Sequence, residues 1–299
     1  MPNARHGDKD EQVGSQTNAL HGVLRLSCPD RMGIVARVGA FLLDHSCNIV
    51  ESAQFGDPNS DLFFMRVSFR SASGEFGAIR DAFGELAVPF NMRWEIHDLA
   101  IKQRLLIMVS RFDHCLNDLL YRFRIGSLAV EIPAIVSNHR DFYRLAAAHD
   151  IPFHHLPVTP EDKPRRERQL LDIFEEQRCD LLVLARYMQV LSPELCAGFP
   201  GRAINIHHSF LPSFQGARPY QQAHDRGVKL IGATAHYVTA ELDEGPIIEQ
   251  DVARIDHAAS LEDCVHAGRD VECAVLARAV KWHVEHRVLV NGNRTVVFR

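Results

Sequence analysis

The sequence predicts an α/β protein in two parts, a small ferredoxin-like unit followed by a larger domain on a mostly parallel sheet. Three observations carry this. Residues 21–97 read as β-α-β-β-α-β. Beyond a junction at 98–103, apolar strands alternate with helical patterns, the rhythm of a parallel α/β sheet. Within that rhythm Asp180-Leu181-Leu182-Val183-Leu184-Ala185 is almost continuously apolar, as a central strand covered on both faces must be. The chain has 299 residues, 46% hydrophobic and 24% charged, enough for about two domains of ordinary globular composition.

The elements follow in order. Residues 1–20 are polar and read as a disordered tail; 21–98 form the first domain. An alternating strand over 22–28 is punctuated by Pro29-Asp30, and an amphipathic helix over 31–44 follows, with Asp30 as its expected N-cap. Strands at 48–55 and 61–70 flank Gly56-Asp57-Pro58-Asn59-Ser60, a turn by composition, and so form a hairpin. A helix over 74–85 and a strand over 91–97 complete the unit.

The second domain, 104–299, opens with a strand at 105–110 and a helix near 117–123. Next come a strand at 132–137, a helix at 140–149, a short strand at 152–156 and a charged helix at 164–177. After the 180–185 strand, one at 203–206 leads into a loop, a helix covers 219–226, and strands follow at 230–238 and 247–255. A long helix spans 261–285. The tail 288–298 carries Asn291-Gly292 between β-branched runs, a strong hairpin signal.

Composition excludes several function classes. Lys plus Arg (33) against Asp plus Glu (38) leaves a net charge of −5, so no global positive field exists to hold a nucleic acid. No run of 18 apolar residues crosses a membrane, and no apolar signal core opens the chain. Seven cysteines, an odd number without a CxxC pair, read as reduced thiols of a cytoplasmic protein. The 17 histidines invite a metal site, but no HExxH motif is present, and His154-His155 on a short strand point to opposite faces. No metal and no cofactor is expected.

One constellation carries chemistry. Asn205-Ile206-His207-His208-Ser209-Phe210-Leu211-Pro212 begins where a strand ends, the position at which open α/β sheets hold their ligands. Alternation puts Asn205 and His207 on one side. Two strands later Leu242-Asp243-Glu244-Gly245-Pro246 offers a carboxylate in a Gly/Pro-bounded loop. An amide that donates to a developing oxyanion, an imidazole that moves protons and an acid that orients it suit acyl transfer. No GxSxG nucleophile elbow is present.

Asn205-Ile206-His207, the SFLP loop and LDxGP at this spacing resemble the formyltransferase domain of 10-formyltetrahydrofolate enzymes, a Rossmann-like fold, over roughly 104–298. The stretches FDHCLNDLLYR, LARYMQVLSP and IGATAHYVTAELDEGPIIEQDV resemble one branch, the formyltetrahydrofolate deformylases. SCPDRMGIVARV with the β-α-β-β-α-β order resembles an ACT domain, the amino-acid-sensing module at the front of that branch. The resemblance implies hydrolysis of 10-formyltetrahydrofolate to formate and tetrahydrofolate, supplying formate for purine synthesis. It implies that Asn205 holds the formyl oxygen, His207 moves the protons and Asp243 keeps His207 and the water in position. Met188, Gln189, Val190 and Leu191 would grip the folate ring, with Val238, Thr239 and Leu242 in the loop that closes over it. His236, His114 and His208 are supporting candidates around the site. An amino-acid effector would sit near Gly33 and Asn48, and a homo-oligomer is expected from the pairing habit of such modules.

The alternative is a formyltransferase acting on a small amine. Glycinamide ribonucleotide formyltransferases carry a glycine-rich phosphate cradle after the first strand. Here Ser110-Arg111-Phe112-Asp113-His114-Cys115 contains no glycine, and Asp113 would repel a phosphate. A transferase for initiator tRNA would be expected to add a basic C-terminal domain, which the sequence through Arg299 does not show. Both points favour water as acceptor.

Overall fold

The computed structural model describes residues 20–71, 76–212 and 219–299. The expected tail therefore lies outside the described residues except for Leu20, as do the first two positions of the helix expected at 74–85. The chain divides into two compact units, Met1–Ala53 with Asp61–Ala100, and Gln54–Ser60 with Ile101–Arg299.

The first unit comprises β1 (Leu20–Pro29), α1 (Ile34–Asp44), β2 (Cys47–Asp57, as far as Ala53), β3 (Leu62–Ser71), α2 (Phe76–Ala87) and, after a 3₁₀ turn at Val88–Phe90, β4 (Arg93–Asp98). Its sheet has the order β2-β3-β1-β4, with β1 antiparallel to both β3 and β4. This is the ferredoxin-like arrangement. Ile34, Val38, Phe41 and Leu42 are the buried stripe of α1, spaced as a helix face requires. Asp30 is not the N-cap of α1. Its backbone N–H bonds the Asp61 carbonyl at 2.9 Å, and a turn through Gly33 intervenes before the helix. Gly33 occupies the cap position at φ 93°, a left-handed conformation that glycine adopts without steric cost.

The second unit runs β5 (Gln103–Val109), α3 (His114–Arg124), β6 (Val130–Ser137), α4 (Tyr143–Ala147), β7 (Phe153–His155), α5 (Lys163–Glu176), β8 (Leu181–Leu184), α6 (Pro193–Ala197), β9 (Ala203–His207), α7 (Pro219–Asp225), β10 (Leu230–Tyr237), β11 (Ile247–Arg254), α8 (Leu261–Val284), β12 (Val288–Asn291) and β13 (Arg294–Val297). The seven-stranded sheet has the order β11-β10-β9-β8-β5-β6-β7. Strands β9, β8, β5, β6 and β7 are parallel, and β10 and β11 add an antiparallel edge. The chain leaves β5 toward β7 and returns to place β8 on the other flank of β5, which makes the topological switch point.

β8 is buried on both faces. Leu181 and Val183 enter one core with residues of α3 and α8, and Leu182 and Leu184 enter the other with Leu170 and Phe174 of α5. Val275, Leu276 and Val280 anchor α8 under the sheet, each contributing about 1.5–3 kcal/mol by burial. A reciprocal capping box starts that helix: Ser260 Oγ accepts from the Asp263 N–H and Asp263 Oδ2 from the Ser260 N–H.

Four local expectations shift. Helix α3 starts at His114, three residues earlier than its apolar pattern suggests. α4 shrinks to one turn and a half. The short α6, capped by Ser192 Oγ on the Leu195 N–H at 3.1 Å, is an element that periodicity over five residues does not reveal. In the last hairpin Asn291 pairs with Arg294, so Gly292 (φ 62°) and Asn293 make the turn in place of Asn291-Gly292. A glycine-first turn also matches strand twist.

Candidate active site

Two neighbouring strands build the site by simple alternation. On β9, Ile204 and Ile206 point into the core shared with α8, which leaves Asn205 and His207 on the opposite face. On β10, Ala233, Ala235 and Tyr237 fill the same core and leave Thr234 and His236 beside them. Antiparallel register pairs Thr234 with His207 and His236 with Asn205. Strand β9 runs through His207, one residue beyond the expected end, so both polar residues sit on rigid backbone.

Asp243 comes to them from the loop after β10. Its backbone is left-handed at φ 58°, a conformation aspartate tolerates better than most residues. Two residues on, a Cβ at Gly245 would stand 1.7 Å from the Tyr237 carbonyl oxygen. Only glycine lets the loop double back against β10, where the Tyr237 N–H reaches the Pro246 carbonyl at 3.0 Å.

The polar contacts are compact. His207 Nδ1 lies 3.1 Å from Asp243 Oδ2, and His236 Nε2 lies 3.6 Å from Asp243 Oδ1 and 3.3 Å from Asn205 Nδ2. The His236 ring is oriented by its Nδ1 donating to the Tyr237 carbonyl at 2.9 Å. Burial works to raise the Asp243 pKa, but the hydrogen bond from His207 and the close approach of His207 and His236 prevail and hold the carboxyl well below the usual carboxylate range. With Nδ1 committed to Asp243, His207 presents Nε2, which is buried and has no hydrogen-bond partner among the described residues. An oriented imidazole with its second nitrogen uncommitted can take and give a proton.

The loop after His207 is clamped by a residue the sequence did not single out. Thr234 Oγ1, fully buried, donates to the Ser209 carbonyl at 2.9 Å and accepts from the Leu211 N–H at 3.0 Å and Gln250 Nε2 at 2.9 Å.

The segment after β8 carries the expected ring-binding residues. Met188 and Val190 are about half exposed, and Gln189, Val190 and Leu191 border a narrow crevice with Met108 and Leu170 behind it. Ser110, at the end of β5, pins this segment: its Oγ accepts from the Met188 N–H at 2.9 Å and donates to Asn138 Oδ1 at 2.8 Å. In the loop after β10, Leu242 is 63% exposed, Thr239 Oγ1 donates to the Glu241 carbonyl, and the Val238 N–H bonds the Ala203 carbonyl. Exposed apolar side chains on both segments are surfaces a flat ligand can cover.

The three supporting histidines separate. His236 touches both Asn205 and Asp243. His208 lies beside His207, ring centroids 5.1 Å apart and planes tilted by 33°, and burial, then the charges of Arg186 and His207, push its pKa down to about 3. His114 belongs to a different cluster, donating from Nε2 to Glu272 Oε2 at 2.7 Å. His114, Cys115 and Glu272 form the one group of potential metal ligands compact enough for an ion among the described residues. Their donor set does not fit one. Both Glu272 oxygens are already engaged, by His114, Arg186 and Tyr220, and burial, then Cys273 and Glu272, raise the Cys115 thiol far above its ordinary range. An apolar cleft of about 380 Å³ is bordered by His208, Phe210, Tyr220 and Ile231 and by none of Asn205, His207 or Asp243. In the first unit, Gly33 caps α1 and Asn48 is exposed near the start of β2.

Residues 103–280 match the formyl transferase family model. The formyltetrahydrofolate deformylase of Corynebacterium sp. (strain P-1) is 50% identical over 93% of this chain and 98% of its own. The crystal structure of the formyltetrahydrofolate deformylase from Burkholderia mallei ATCC 23344 superposes with a TM-score of 0.90 at 54% identity, covering 94% of this chain and all of that one. Glycinamide ribonucleotide transformylase 1 from Symbiobacterium toebii, at 28% identity and a TM-score of 0.62, covers 66% of this chain and 95% of its own.

Proposed function

This chain belongs to the formyl transferase family and, within it, to the formyltetrahydrofolate deformylases, and we infer that it hydrolyses 10-formyltetrahydrofolate to formate and tetrahydrofolate. The carrying observation is coverage: its likeness to deformylases extends over both units, while the transformylase matches about two thirds of the chain.

We propose that Asn205, His207 and Asp243 perform the reaction. Water attacks the formyl carbon while His207 Nε2 takes its proton, forming a tetrahedral intermediate. Negative charge gathers on the former carbonyl oxygen, where the Asn205 amide donates a hydrogen bond. Asp243, held ionised, fixes the Nδ1–H of His207 and balances the imidazolium. His207 then returns the proton to N10 as the C–N10 bond breaks. Residues 188–191, with Val238, Thr239 and Leu242, are proposed to hold the folate ring. No metal or cofactor takes part in this scheme.

In the first unit the effector proposed is an amino acid near Gly33 and Asn48. The sheet edge β2 exposes Ile49, Val50 and Phe55, a strip suited to a second copy of the chain in a homo-oligomer. The proposed compartment is the cytoplasm, on the odd, unpatterned set of cysteines; no described helix is long and apolar enough to cross a membrane.

Formate release from 10-formyltetrahydrofolate, with no added amine, tests the function. Stoichiometric formate and tetrahydrofolate are expected. Formylation of an added amine without formate release in its absence would overturn it in favour of transfer. Calorimetry with amino acids and sedimentation test the effector and the assembly.

A further inference from the structure

Glu272 lies on α8, has 0% exposure, and takes no part in the proposed chemistry. Its carboxylate gathers partners from three other places in the fold. Oε2 accepts from His114 Nε2 at the start of α3 and faces Arg186 Nε at 3.1 Å; Oε1 accepts from the Tyr220 hydroxyl on α7. A buried ionic cluster of this kind is no efficient source of stability, since desolvating the charges costs about as much as their attraction returns. Its position suggests another use.

Room for it is built into the helix. One turn before Glu272, a Cβ at Gly268 would stand 2.3 Å from the Tyr220 ring, so glycine there lets the phenol lie against α8 and reach the carboxylate. Tyr220 in turn faces His208 at 6.2 Å between ring centroids, and His208 faces His207 at 5.1 Å. Arg186, the third partner, has a left-handed backbone at φ 63°, and its carbonyl accepts from the Ser110 N–H at 3.2 Å, directly before residues 188–191. Glu272 thus ties together the wall behind the catalytic imidazole and the root of the folate segment.

We propose that Glu272 is a positioning residue of the deformylation reaction, holding Tyr220 and Arg186 so that His208 packs against His207 and keeps its Nε2 aimed at the reacting carbon. The proposal rests on the role of His207 given above. It acts on the chemical step more than on substrate affinity, because no partner of Glu272 is among the residues assigned to the folate ring.

The experiment measures kcat and KM for formate release with Glu272→Gln and Tyr220→Phe in the full chain, beside thermal unfolding of each. Glu272→Gln keeps the shape but removes the charge and turns one of the two accepting oxygens into an NH2 donor, so the donors around it cannot all be satisfied. The expected result is a kcat lower by about ten- to a hundredfold, as for a small misplacement of a catalytic group. KM should stay within about threefold, with Tyr220→Phe moving kcat the same way by less. A kcat equal to wild type in Glu272→Gln overturns the proposal. If that variant does not fold, Tyr220→Phe decides, and wild-type kcat there overturns it equally. Failure of the wild-type protein itself to release formate would instead refute the functional reading.

Discussion

Acidification should weaken this protein through His208, the residue next to the proposed base His207. His208 is pushed from 6.5 down to about 3 in the folded state, by burial and then by the charges of Arg186 and His207. The unfolded chain therefore binds a proton at this position well before the folded one does. Stability is retained above about pH 6.5 and is lost as the pH falls from there toward 3. Each pH unit in that window costs about 1.4 kcal/mol, so lowering the pH from 7 to 5 should remove about 2 kcal/mol through His208 alone. That figure is insensitive to the lower value, since any folded pKa below about 4 gives nearly the same loss at pH 5. The assay is urea unfolding of the wild type and of His208→Gln at pH 7 and pH 5. All other groups titrate in both proteins, so the variant should lose about 2 kcal/mol less than the wild type over this interval. Losses equal within about 0.5 kcal/mol would show that His208 takes up its proton in the folded state and would refute the reasoning.

Other predictions concern the site. Asp243→Asn removes the charge proposed to balance a His207 imidazolium and should lower kcat by about 10²–10⁴-fold with little change in folate binding, measured by formate release beside equilibrium titration; normal turnover would remove Asp243 from the mechanism. Thr234→Val keeps the shape of the side chain but strips Ser209 and Leu211 of their shared partner, and about 1–3 kcal/mol of stability should be lost in denaturant unfolding, together with kcat. Gly245→Ala should prevent the Asp243 loop from closing, because no flexible side chain can move aside when the atom it meets is the Tyr237 carbonyl; a folded, fully active variant would contradict this. Exhaustive chelation should leave formate release unchanged, and loss of activity restored by a divalent ion would return attention to His114, Cys115 and Glu272.

Much of this protein is legible residue by residue. The run at 180–185 announces a strand covered on both faces, and β8 is one, because alternate residues feed two separate cores. The β-α-β-β-α-β order sufficed for the antiparallel sheet of the first unit, since adjacent strands with short turns have few ways to pair. Alternation alone puts Asn205 and His207 on one side, and the same alternation on β10 delivers Thr234 and His236. Asp30, by contrast, has the composition of a helix cap but is displaced by the turn through Gly33; capping depends on backbone angles that composition does not reveal.

Periodicity and local chemistry can be read along the chain: which residues line a face, where the chain must turn, and that an amide, an imidazole and a carboxylate occur on elements able to converge. The partners of the buried polar groups are chosen by the fold. Glu272 meets His114 across 158 positions and Tyr220 across 52, and Gly268 matters because of a ring that no local pattern points to. Hydrophobic patterning acts over a few residues and repeats, so it can be read along the chain; a buried carboxylate is stabilised by whichever donors the finished fold brings within about 3 Å, and that selection is made in space.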